Sequence, residues 1–316
     1  MQTRLLPGTD LHLSVLGFGA WAIGRDYWGD DVTDERSTAA VHAALDAGIN
    51  WFDTAPIYGR GHSEELLVRA LGARRRDVVV ATKVGVEFVD GHARSNLSPA
   101  HLRHDLEATL RRLRTDTIDL LQVHWPCELG TPLEDTYTTL DALRREGKVR
   151  WLGVCNYDAV SLRTIASITP IASLQTGYSL LRREFEGDLL NAVTELRLGA
   201  LAYEPLCRGL LTAKFRAPPT FPETDMRSRD DRFQGRRFHH AQRLTQDLAK
   251  VAARVGVPPA AVAIGWVMSR PGVTSVIAGA KGPEQVLQNA QAATLLDRPQ
   301  LWRVVDRIAA LHGGTP

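Results

Sequence analysis

The stretch GINWFDTAPIYGRGHSEELL (residues 48–67) contains the structural unit that repeats along the chain. Its apolar residues predict a buried strand over Asn50–Asp53, and the loop after them, which contains proline and glycine, leads into a helical pattern over Ser63–Leu71. The carboxylate of Asp53 and the phenol of Tyr58 therefore stand where the strand gives way to the loop. Because a phenol titrates near pH 10, Tyr58 on its own would be a poor acid at neutral pH.

The same alternation of an apolar run, a polar or glycine-containing loop and a helical stretch recurs along the sequence. The predicted strands are Val15–Phe18, Asn50–Asp53, Val78–Thr82, Ile118–Val123, Val149–Val154, Ser173–Gln175, Ala200–Tyr203 and Val273–Ile277. The predicted helices between them are Ser37–Ala47, Ser63–Leu71, Pro99–Arg112, Leu133–Glu146, Ala159–Ile165 and Leu189–Leu196. Strands that alternate with helices pair in parallel, and these units at this spacing predict a (β/α)₈ TIM barrel.

Two further segments complete the predicted architecture. Residues 1–12 turn at PGTD (7–10) and predict an N-terminal β-hairpin. A long loop between strands 7 and 8 holds the arginine-rich stretch FPETDMRSRDDRFQGRRF (221–238), followed by a helix near 241–254. Two interpretations of that stretch stay open: a solvated loop, or a loop that covers the mouth of the barrel. No linker-like composition divides the chain, so residues 1–316 are predicted to form a single domain.

The composition narrows the class of protein before any motif is considered. Hydrophobic residues make up 44% of the chain, and a net charge of +2 is too balanced to favour binding to nucleic acid or to a membrane surface. Three scattered cysteines favour a reducing compartment. The N-terminus lacks the apolar segment of a signal peptide, and the longest apolar run, Ala260–Met268, is too short to span a bilayer. We therefore expect a cytoplasmic protein, whose oligomeric state these patterns do not encode.

Four polar side chains fall at or just after the ends of three consecutive predicted strands. Strand two delivers Asp53 and, in its loop, Tyr58. Lys83 follows strand three, and His124 follows strand four. Active sites of such barrels lie at the C-terminal ends of the strands, and adjacent strands bring their ends close together. The sequence therefore predicts that these four side chains converge.

Convergence would give the phenol a chemical use. An ammonium beside a phenol stabilises the phenolate, so Lys83 is expected to lower the pKa of Tyr58 from about 10 towards about 7. A buried lysine is costly without a partner, which predicts that Asp53 pairs with Lys83. His124 can donate a hydrogen bond to a carbonyl oxygen. Each residue alone would more often be structural, but together they predict a general acid for a carbonyl group that accepts a hydride.

Longer motifs carry a resemblance over nearly the whole chain. They are GINWFDTAPIYGRGHSEELL (48–67), VVVATKVG (78–85), RRLRTDTIDLLQVHWP (111–126), GKVRWLGVCNY (147–157), LQTGYSLLRR (174–183), LAYEPLCRGLLTAKF (201–215) and SVIAGAKGPEQVLQNA (275–290). In this combination the sequence resembles the aldo-keto reductase superfamily, and its bacterial, general-stress-like branch in particular. The resemblance implies NAD(P)H-dependent reduction of an aldehyde or ketone to an alcohol by hydride transfer.

The resemblance also implies roles for individual residues. Tyr58 matches the general acid, and Asp53, Lys83 and His124 match its catalytic partners. The positions that match cofactor contacts are Ala20, Trp21, Asp53, Cys155, Asn156, Gln175, Tyr203, Pro205, Leu206, Arg208, Leu210, Gly279, Lys281, Gln285 and Asn289. The expected substrate contacts are Trp21, Tyr58, His124 and Trp125, although both tryptophans could equally be rim packing. No metal ligand is expected.

Three positions depart from the family pattern. Cys155 replaces a serine of the carboxamide site and is a weaker hydrogen-bond donor. Glu204 replaces a small residue, a change that the sequence does not explain. Gln285 stands where some relatives place an arginine on the 2′-phosphate, although Lys281 could bind that phosphate as a point charge. NADPH is therefore the expected cofactor, with NADH as the alternative.

Other interpretations fit parts of the sequence. The segment GFGAWA (17–22) fits a dinucleotide fingerprint, but the residues after it do not open an amphipathic helix. A metal-dependent hydrolase would need ligand clusters at several strand ends, and HLRH (101–104) has no further ligand in evident reach. A nucleotide-binding regulatory subunit of the same fold, with slow turnover, stays open, although the complete set of four polar side chains argues against it. The physiological substrate cannot be deduced, because specificity in barrels resides in loops.

Overall fold

A computed structural model describes residues 1–29 and 32–312 and has a closed parallel barrel at its centre. Its strands, numbered along the chain, are β1 (Thr3–Leu5), β2 (His12–Ser14), β3 (Leu16–Gly19), β4 (Trp51–Asp53), β5 (Val79–Val84), β6 (Val86–Val89), β7 (His92–Ser95), β8 (Ile118–Val123), β9 (Val149–Cys155), β10 (Ser173–Gly177), β11 (Gly199–Tyr203) and β12 (Val273–Gly279). The barrel runs β3, β4, β5, β8, β9, β10, β11, β12 and back to β3. The predicted TIM barrel is confirmed, and each predicted strand overlaps a barrel strand.

Helices connect the barrel strands and cover the outside of the barrel. They are α1 (Asp34–Asp46), α2 (His62–Leu71), α3 (Pro99–Leu113), α4 (Leu133–Arg145), α5 (Ala159–Ile168), α6 (Asp188–Glu195), α7 (Gly235–Val255), α8 (Pro259–Met268), α9 (Pro283–Ala290) and α10 (Pro299–Leu311). Local sequence explains several starts. The Thr33 side chain caps α1 and that of Asp158 caps α5, while proline occupies the first turn of α3. The six predicted helices correspond to α1 through α6.

The predicted N-terminal hairpin is confirmed: β1 and β2 pair antiparallel. Its apolar residues Leu6 and Leu13 are fully buried and belong to the same cluster as Trp51 inside the barrel. The indole of Trp51 donates to the backbone of Ser14 and to the hydroxyl of Ser275. A Cβ added at Gly17 would lie 2.2 Å from the Trp51 ring, so a glycine is required for this packing. The hairpin thus stabilises one end of the barrel and leaves the strand C-termini to form the site.

A second hairpin, β6–β7, follows β5 and was not predicted. Its turn contains Asp90 and Gly91, both with positive φ, which is the backbone of a tight two-residue turn. The sequence signal was present in VEFVDGHARS (86–95), where an Asp-Gly pair lies between two short runs with β-propensity. Ala93 of this hairpin reaches the wall of the cavity described below.

The connection from β11 to β12 is the long loop predicted between strands 7 and 8. It contains short 3₁₀ segments at Cys207–Thr212, Met226–Arg229 and Asp231–Phe233, then α7 and α8. Helix α7 begins at Gly235, earlier than the helix predicted near 241–254, and α8 coincides with the apolar run noted in the sequence. No single helix among the described residues is long and apolar enough to cross a membrane; α7 and α8, bent by 94°, meet the length and composition test only as a pair.

Candidate active site

The C-terminal ends of the barrel strands open into a cavity of about 950 Å³. That volume lies at the upper end of the range for small-molecule and cofactor sites. Most of the predicted site residues lie on its wall. They are Trp21, Asp53, Tyr58, His124, Trp125, Asn156, Gln175, Tyr203, Pro205, Leu206, Arg208, Gly279, Lys281, Gln285 and Asn289.

Lys83 is not on the wall but is buried beside it, with 1% of its surface exposed. Its Nζ lies 2.7 Å from Asp53 Oδ2 and 3.2 Å from Tyr58 Oη, and it also donates to the Thr54 carbonyl at 2.9 Å. Strands β4 and β5 are hydrogen-bonded neighbours, which is why residues far apart in sequence meet here. The structure therefore brings together the carboxylate, ammonium and phenol that the strand ends placed in one region.

Burial decides the protonation state of Tyr58. It raises the pKa of Tyr58 to about 12, although the Lys83 ammonium acts to lower it. The prediction of a net fall towards 7 is therefore wrong, because desolvation of the phenolate outweighs the neighbouring charge. Burial alone would lower the pKa of Lys83, but Asp53, together with Tyr58 and Cys155, outweighs burial, so the pKa of Lys83 is raised. At neutral pH the site holds a protonated phenol beside a charged lysine.

His124 borders the phenol as a neutral imidazole. Burial, and then the charge of Lys83, hold the pKa of His124 well below its ordinary value of 6.5. The ring meets that of Tyr58 edge to face at 5.9 Å and stacks on Trp125 at 4.4 Å. The ring of Trp21 lies 6.2 Å from that of Tyr58. Aromatic surfaces therefore flank the phenol.

The side-chain amides of Asn156 and Gln175 present complementary groups to the cavity. Gln175 donates through Nε2 to Asp53 at 2.7 Å and to Gln122 at 3.3 Å, so its amide oxygen is left as an acceptor. Asn156 accepts from the Tyr203 hydroxyl at 2.8 Å and donates to the His124 carbonyl at 3.1 Å, so one amide N–H is left as a donor. One acceptor and one donor match a primary carboxamide, and the pair thus fits the carboxamide of nicotinamide.

Three residues predicted to contact the cofactor do not lie on the cavity wall: Ala20, Cys155 and Leu210. The thiol of Cys155 is buried, lies 3.7 Å from Gln122 Oε1, and has a pKa that burial raises. The carbonyl of Ala20 accepts from the Ser63 hydroxyl, and that of Leu210 accepts from Thr245 on α7. All three therefore make internal packing or hydrogen-bond contacts instead.

The arginine-rich stretch covers the cavity, which favours the second of its two interpretations. Asp225 pairs with Trp28 in an isolated antiparallel bridge, and the amide of Met226 donates to the Tyr27 carbonyl. The Nζ of Lys281 donates to the carbonyl of Trp28 at 2.5 Å. Three connections that are remote in sequence therefore meet above the site. We call residues 221–234 the cover loop.

A buried ion pair within the cover loop maintains its shape. Arg227 lies 2.5 Å from Asp225, and its guanidinium packs over the rings of Phe221 and Trp28, at 4.3 and 5.4 Å. Both Met226 and Arg227 line the cavity. Sequence analysis did not identify them as site residues, because their placement depends on contacts with the loop after β3.

Glu204, unexplained by the sequence, joins the cover loop to the end of β11. Its carboxylate accepts from Arg208 Nε at 2.8 Å and lies 3.4 Å from Arg232 Nη1. Both arginines also pair with Asp230, at 3.0 and 2.6 Å. Glu204 and Arg208 have positive φ angles of 53° and 56°, a conformation that is costly for these residues. The charged network stabilises that strained turn.

The far end of the cavity is formed by the β12–α9 connection. The backbone N–H of Lys281 donates to Gln285 Oε1 at 2.7 Å, and Asn289 Nδ2 lies 3.4 Å from the Gly279 carbonyl. Gln288, which was not predicted, also lines this end. Arg182 is a further unpredicted wall residue, at the opposite end beside Tyr203. The part of the chain that the structure describes contains no group of three side chains placed to hold a metal ion.

A barrel with a buried Lys–Asp–Tyr cluster and a carboxamide-matching amide pair defines the class of nicotinamide-dependent oxidoreductases. A model of the aldo/keto reductase family matches residues 15–309, and the chain belongs to that family. Aldo-keto reductase YhdN of Bacillus subtilis (strain 168) is 36% identical over 290 residues, 90% of this chain and 87% of that protein. The NADH-specific methylglyoxal reductase of Escherichia coli (strain K12) is 31% identical over 309 residues, 93% of this chain and 94% of that protein.

Solved structures give the same result. The glycerol dehydrogenase AKR11B4 from Gluconobacter oxydans superposes with a TM-score of 0.91 at 37% identity, covering 100% of this chain and 97% of that one. The holo form of aldo-keto reductase AKR11C1 from Bacillus halodurans has a TM-score of 0.79 at 27% identity, with 98% and 96% coverage. The chain is therefore an aldo-keto reductase that uses NAD(P)H to reduce carbonyl groups.

Proposed function

We propose that this protein reduces a small aldehyde or ketone with NADPH, and that Tyr58 is the proton donor. The observation that carries the assignment is the buried cluster in which Lys83 Nζ contacts both Asp53 and the Tyr58 hydroxyl. That cluster lies beside the amide pair that matches a nicotinamide carboxamide. Such a cofactor supplies a hydride to the carbonyl carbon, and the remaining chemistry falls to the residues of the chain.

The protein groups have separate tasks in that chemistry. Tyr58 is protonated at neutral pH, which is the state that a proton donor requires, and negative charge developing on the substrate oxygen draws the proton from it. The Lys83 ammonium stabilises the phenolate that is left, and Asp53 holds the ammonium in place. Neutral His124 orients the carbonyl by a hydrogen bond. The flanking rings exclude water from the reacting atoms.

The choice of NADPH rests on the basic end of the cavity. Lys281 lies there with its ammonium against the Trp28 carbonyl, at the position where we expect a 2′-phosphate. Arg36, on α1, lies 3.8 Å from Glu284 of α9 and adds a second cation near this end. One relative is named as NADH-specific, and Gln285 replaces an arginine that some family members use, so NADH is the alternative.

Tyr58→Phe tests the assignment of the proton donor. We expect kcat for aldehyde reduction to fall by a factor of about 10² to 10⁴, with NADPH affinity nearly unchanged, because only the transferable proton is lost. Tyr27→Phe is the matched control, since Tyr27 lies on the same wall without contacting Lys83 through any hydrogen bond in the described residues. Comparable turnover by Tyr58→Phe and wild type would refute the role of Tyr58. Absence of turnover by the wild type would favour the regulatory-subunit alternative.

Lys281→Ala tests the choice of cofactor. We expect this change to weaken NADPH about tenfold more than NADH, because only NADPH carries the charged 2′-phosphate. Titration of both reduced cofactors by protein fluorescence gives the two affinities. Equal losses would show that Lys281 does not recognise the phosphate.

The substrate is best identified with a panel of carbonyls assayed with both cofactors. Methylglyoxal and the carbonyl compounds formed by oxidation of glycerol belong in the panel, because one relative is named as a methylglyoxal reductase and another as a glycerol dehydrogenase. We also infer that the chain forms a single domain, since the family match covers residues 15–309. The cytoplasmic location stays a prediction from composition.

A further inference from the structure

The position of Arg182 on the cavity wall is fixed by its neighbours. Its Nη1 lies 3.2 Å from the Tyr203 hydroxyl, and its guanidinium lies 5.4 Å from the centre of the Tyr203 ring. A Cβ added at Gly177 would lie only 2.0 Å from Nη1, so glycine at the end of β10 leaves room for this side chain. Arg182 and Ser179 exchange two backbone hydrogen bonds, each N–H donating to the carbonyl of the other residue. The local structure thus directs a cation to one face of the Tyr203 ring.

The carboxylates around Arg182 are farther away than those that pair with Lys83 and Arg227. Lys83 has Asp53 at 2.7 Å, and Arg227 has Asp225 at 2.5 Å. Within residues 1–29 and 32–312, the one carboxylate within 4.0 Å of Arg182 is Glu184, at 3.8 Å, whose side chain is 76% exposed. An exposed carboxylate is screened by solvent and cancels little of the positive potential in the cavity. The carboxylate of Glu204 also acts on Arg182, but it lies beyond 4.0 Å and is shared with Arg208 and Arg232.

Arg182 is also linked to the carboxamide site. It contacts the Tyr203 hydroxyl, which donates to Asn156, whose amide in turn donates to the His124 carbonyl. Four consecutive barrel strands, β8 to β11, are joined at their ends by this chain of contacts. Because Arg182 lies over one face of the Tyr203 ring, a nicotinamide ring stacked on Tyr203 would take the opposite face.

We propose that Arg182 is a positioning residue that makes the cavity bind reduced nicotinamide more tightly than oxidised nicotinamide. The two forms differ at the ring, which is neutral when reduced and positively charged when oxidised. A guanidinium on one face of Tyr203 already uses the negative potential of that ring, so a second cation on the opposite face gains less and is repelled. This inference rests on the proposed function, and it would poise the enzyme for carbonyl reduction over alcohol oxidation.

The test measures binding in the absence of a carbonyl substrate. Dissociation constants for NADPH and NADP⁺ are determined by protein fluorescence for wild type, Arg182→Met and Arg182→Lys. We expect the ratio Kd(NADP⁺)/Kd(NADPH) to fall about fivefold in Arg182→Met, equivalent to about 1 kcal/mol. Arg182→Lys keeps the charge and should keep the ratio within about twofold of wild type. A merely structural role would raise both constants in parallel and leave the ratio unchanged, which would overturn the proposal.

Two further variants make the test independent of how Arg182→Met folds. Glu184→Gln removes the exposed partner and should raise the ratio by about twofold at low salt, with a smaller rise at high salt. Arg183→Met is the matched control: Arg183 pairs with Glu186, lies over Trp266 and is not on the wall, so the ratio should not change. A lower ratio in Glu184→Gln, or an equal fall in Arg182→Lys and Arg182→Met, would exclude the charge as the cause.

These outcomes are separable from failure of the proposed function. Wild-type protein that bound neither nucleotide would contradict both proposals. Wild-type protein that bound both, with a ratio that none of the variants changed, would contradict the role of Arg182 alone.

Discussion

Two buried ion pairs border the cavity, and they are built in different ways. Asp53 and Lys83 come from adjacent barrel strands, meet at 2.7 Å, and are reinforced by amide donors from Gln122 and Gln175. Asp225 and Arg227 are two positions apart in the cover loop and meet at 2.5 Å, with the ring of Trp28, from the loop after β3, packed against Arg227. The first pair is positioned by the backbone of the barrel. The second is positioned by side-chain contacts between loops.

The two ion pairs therefore lie in regions that differ in how readily they can open. Hydrogen bonds between β4 and β5 hold the first pair in place, so it cannot separate without disrupting the barrel. The second pair belongs to a segment of short 3₁₀ turns that is held by contacts of Trp28, Phe221 and Phe233 and by the ion pairs of Arg232. Such a segment can open locally at a lower free energy than the fold as a whole. We therefore expect the chemistry to reside on the rigid region and the cofactor to enter and leave past the cover loop.

The largest expected effect comes from breaking one pair at a time. Asp53→Asn leaves the Lys83 ammonium buried without its carboxylate, and we expect the free energy of unfolding to fall by about 3 to 5 kcal/mol. Asp225→Asn should lower it by only about 1 kcal/mol, because the cover loop can release Arg227 into water. Urea denaturation followed by circular dichroism measures both. Equal losses in the two variants would contradict the division into a rigid and an opening region.

A smaller effect is expected when the network at the base of the cover loop is weakened. Glu204→Gln removes the carboxylate shared by Arg208 and Arg232, so limited trypsin cleavage between residues 216 and 234 should become about tenfold faster. Glu223→Gln, at an exposed position of the same loop, is the matched control and should leave the rate unchanged. If Asp53→Asn accelerated this cleavage as much as Glu204→Gln did, the two regions would not open independently.

A further effect, spread over two pH units, concerns His124. The pKa of His124 is depressed in the folded protein by burial and by Lys83, so His124 contributes stability above its unfolded pKa of about 6.5, and this contribution is lost as the pH falls below that value. Between pH 7.5 and 5.5 this loss should lower the free energy of unfolding by about 1.4 kcal/mol. His124→Asn should remove that part of the pH dependence. His240 lies half-buried on α7, so His240→Asn should remove a smaller part of the pH dependence of the free energy of unfolding. An equal change in both variants would contradict the prediction that protonation of His124 costs more stability than protonation of His240.

The sequence predicted the barrel region better than the loops that cover the cavity. Strand ends are fixed by the period of apolar residues, so the convergence of Asp53, Tyr58, Lys83 and His124 was deducible from their spacing along the chain. The pKa of Tyr58 was not, because a sequence shows which charges are near but not how completely they are removed from water. Arg182 was missed because its place depends on the missing side chain at Gly177 and on the turn after β10.

The cover loop lay beyond prediction for a related reason. Nothing in FPETDMRSRDDRFQGRRF indicates that Asp225 will pair with Trp28, since that contact depends on the shape of a different loop. The role of Glu204 was likewise hidden, because one of its two partners, Arg232, is brought beside it and Arg208 only by the folding of the cover loop. Contacts between irregular segments have no sequence period from which they can be deduced.

The meeting of three connections above the site has a kinetic consequence. If the cofactor binds in this cavity as proposed, it lies beneath the bridge between Trp28 and Asp225, and we expect it to depart only after that bridge and the contact from Lys281 have separated. We therefore expect the first turnover to be faster than those that follow, so that rapid mixing shows a burst before the steady rate. Release of the oxidised cofactor, rather than hydride transfer, would then limit kcat.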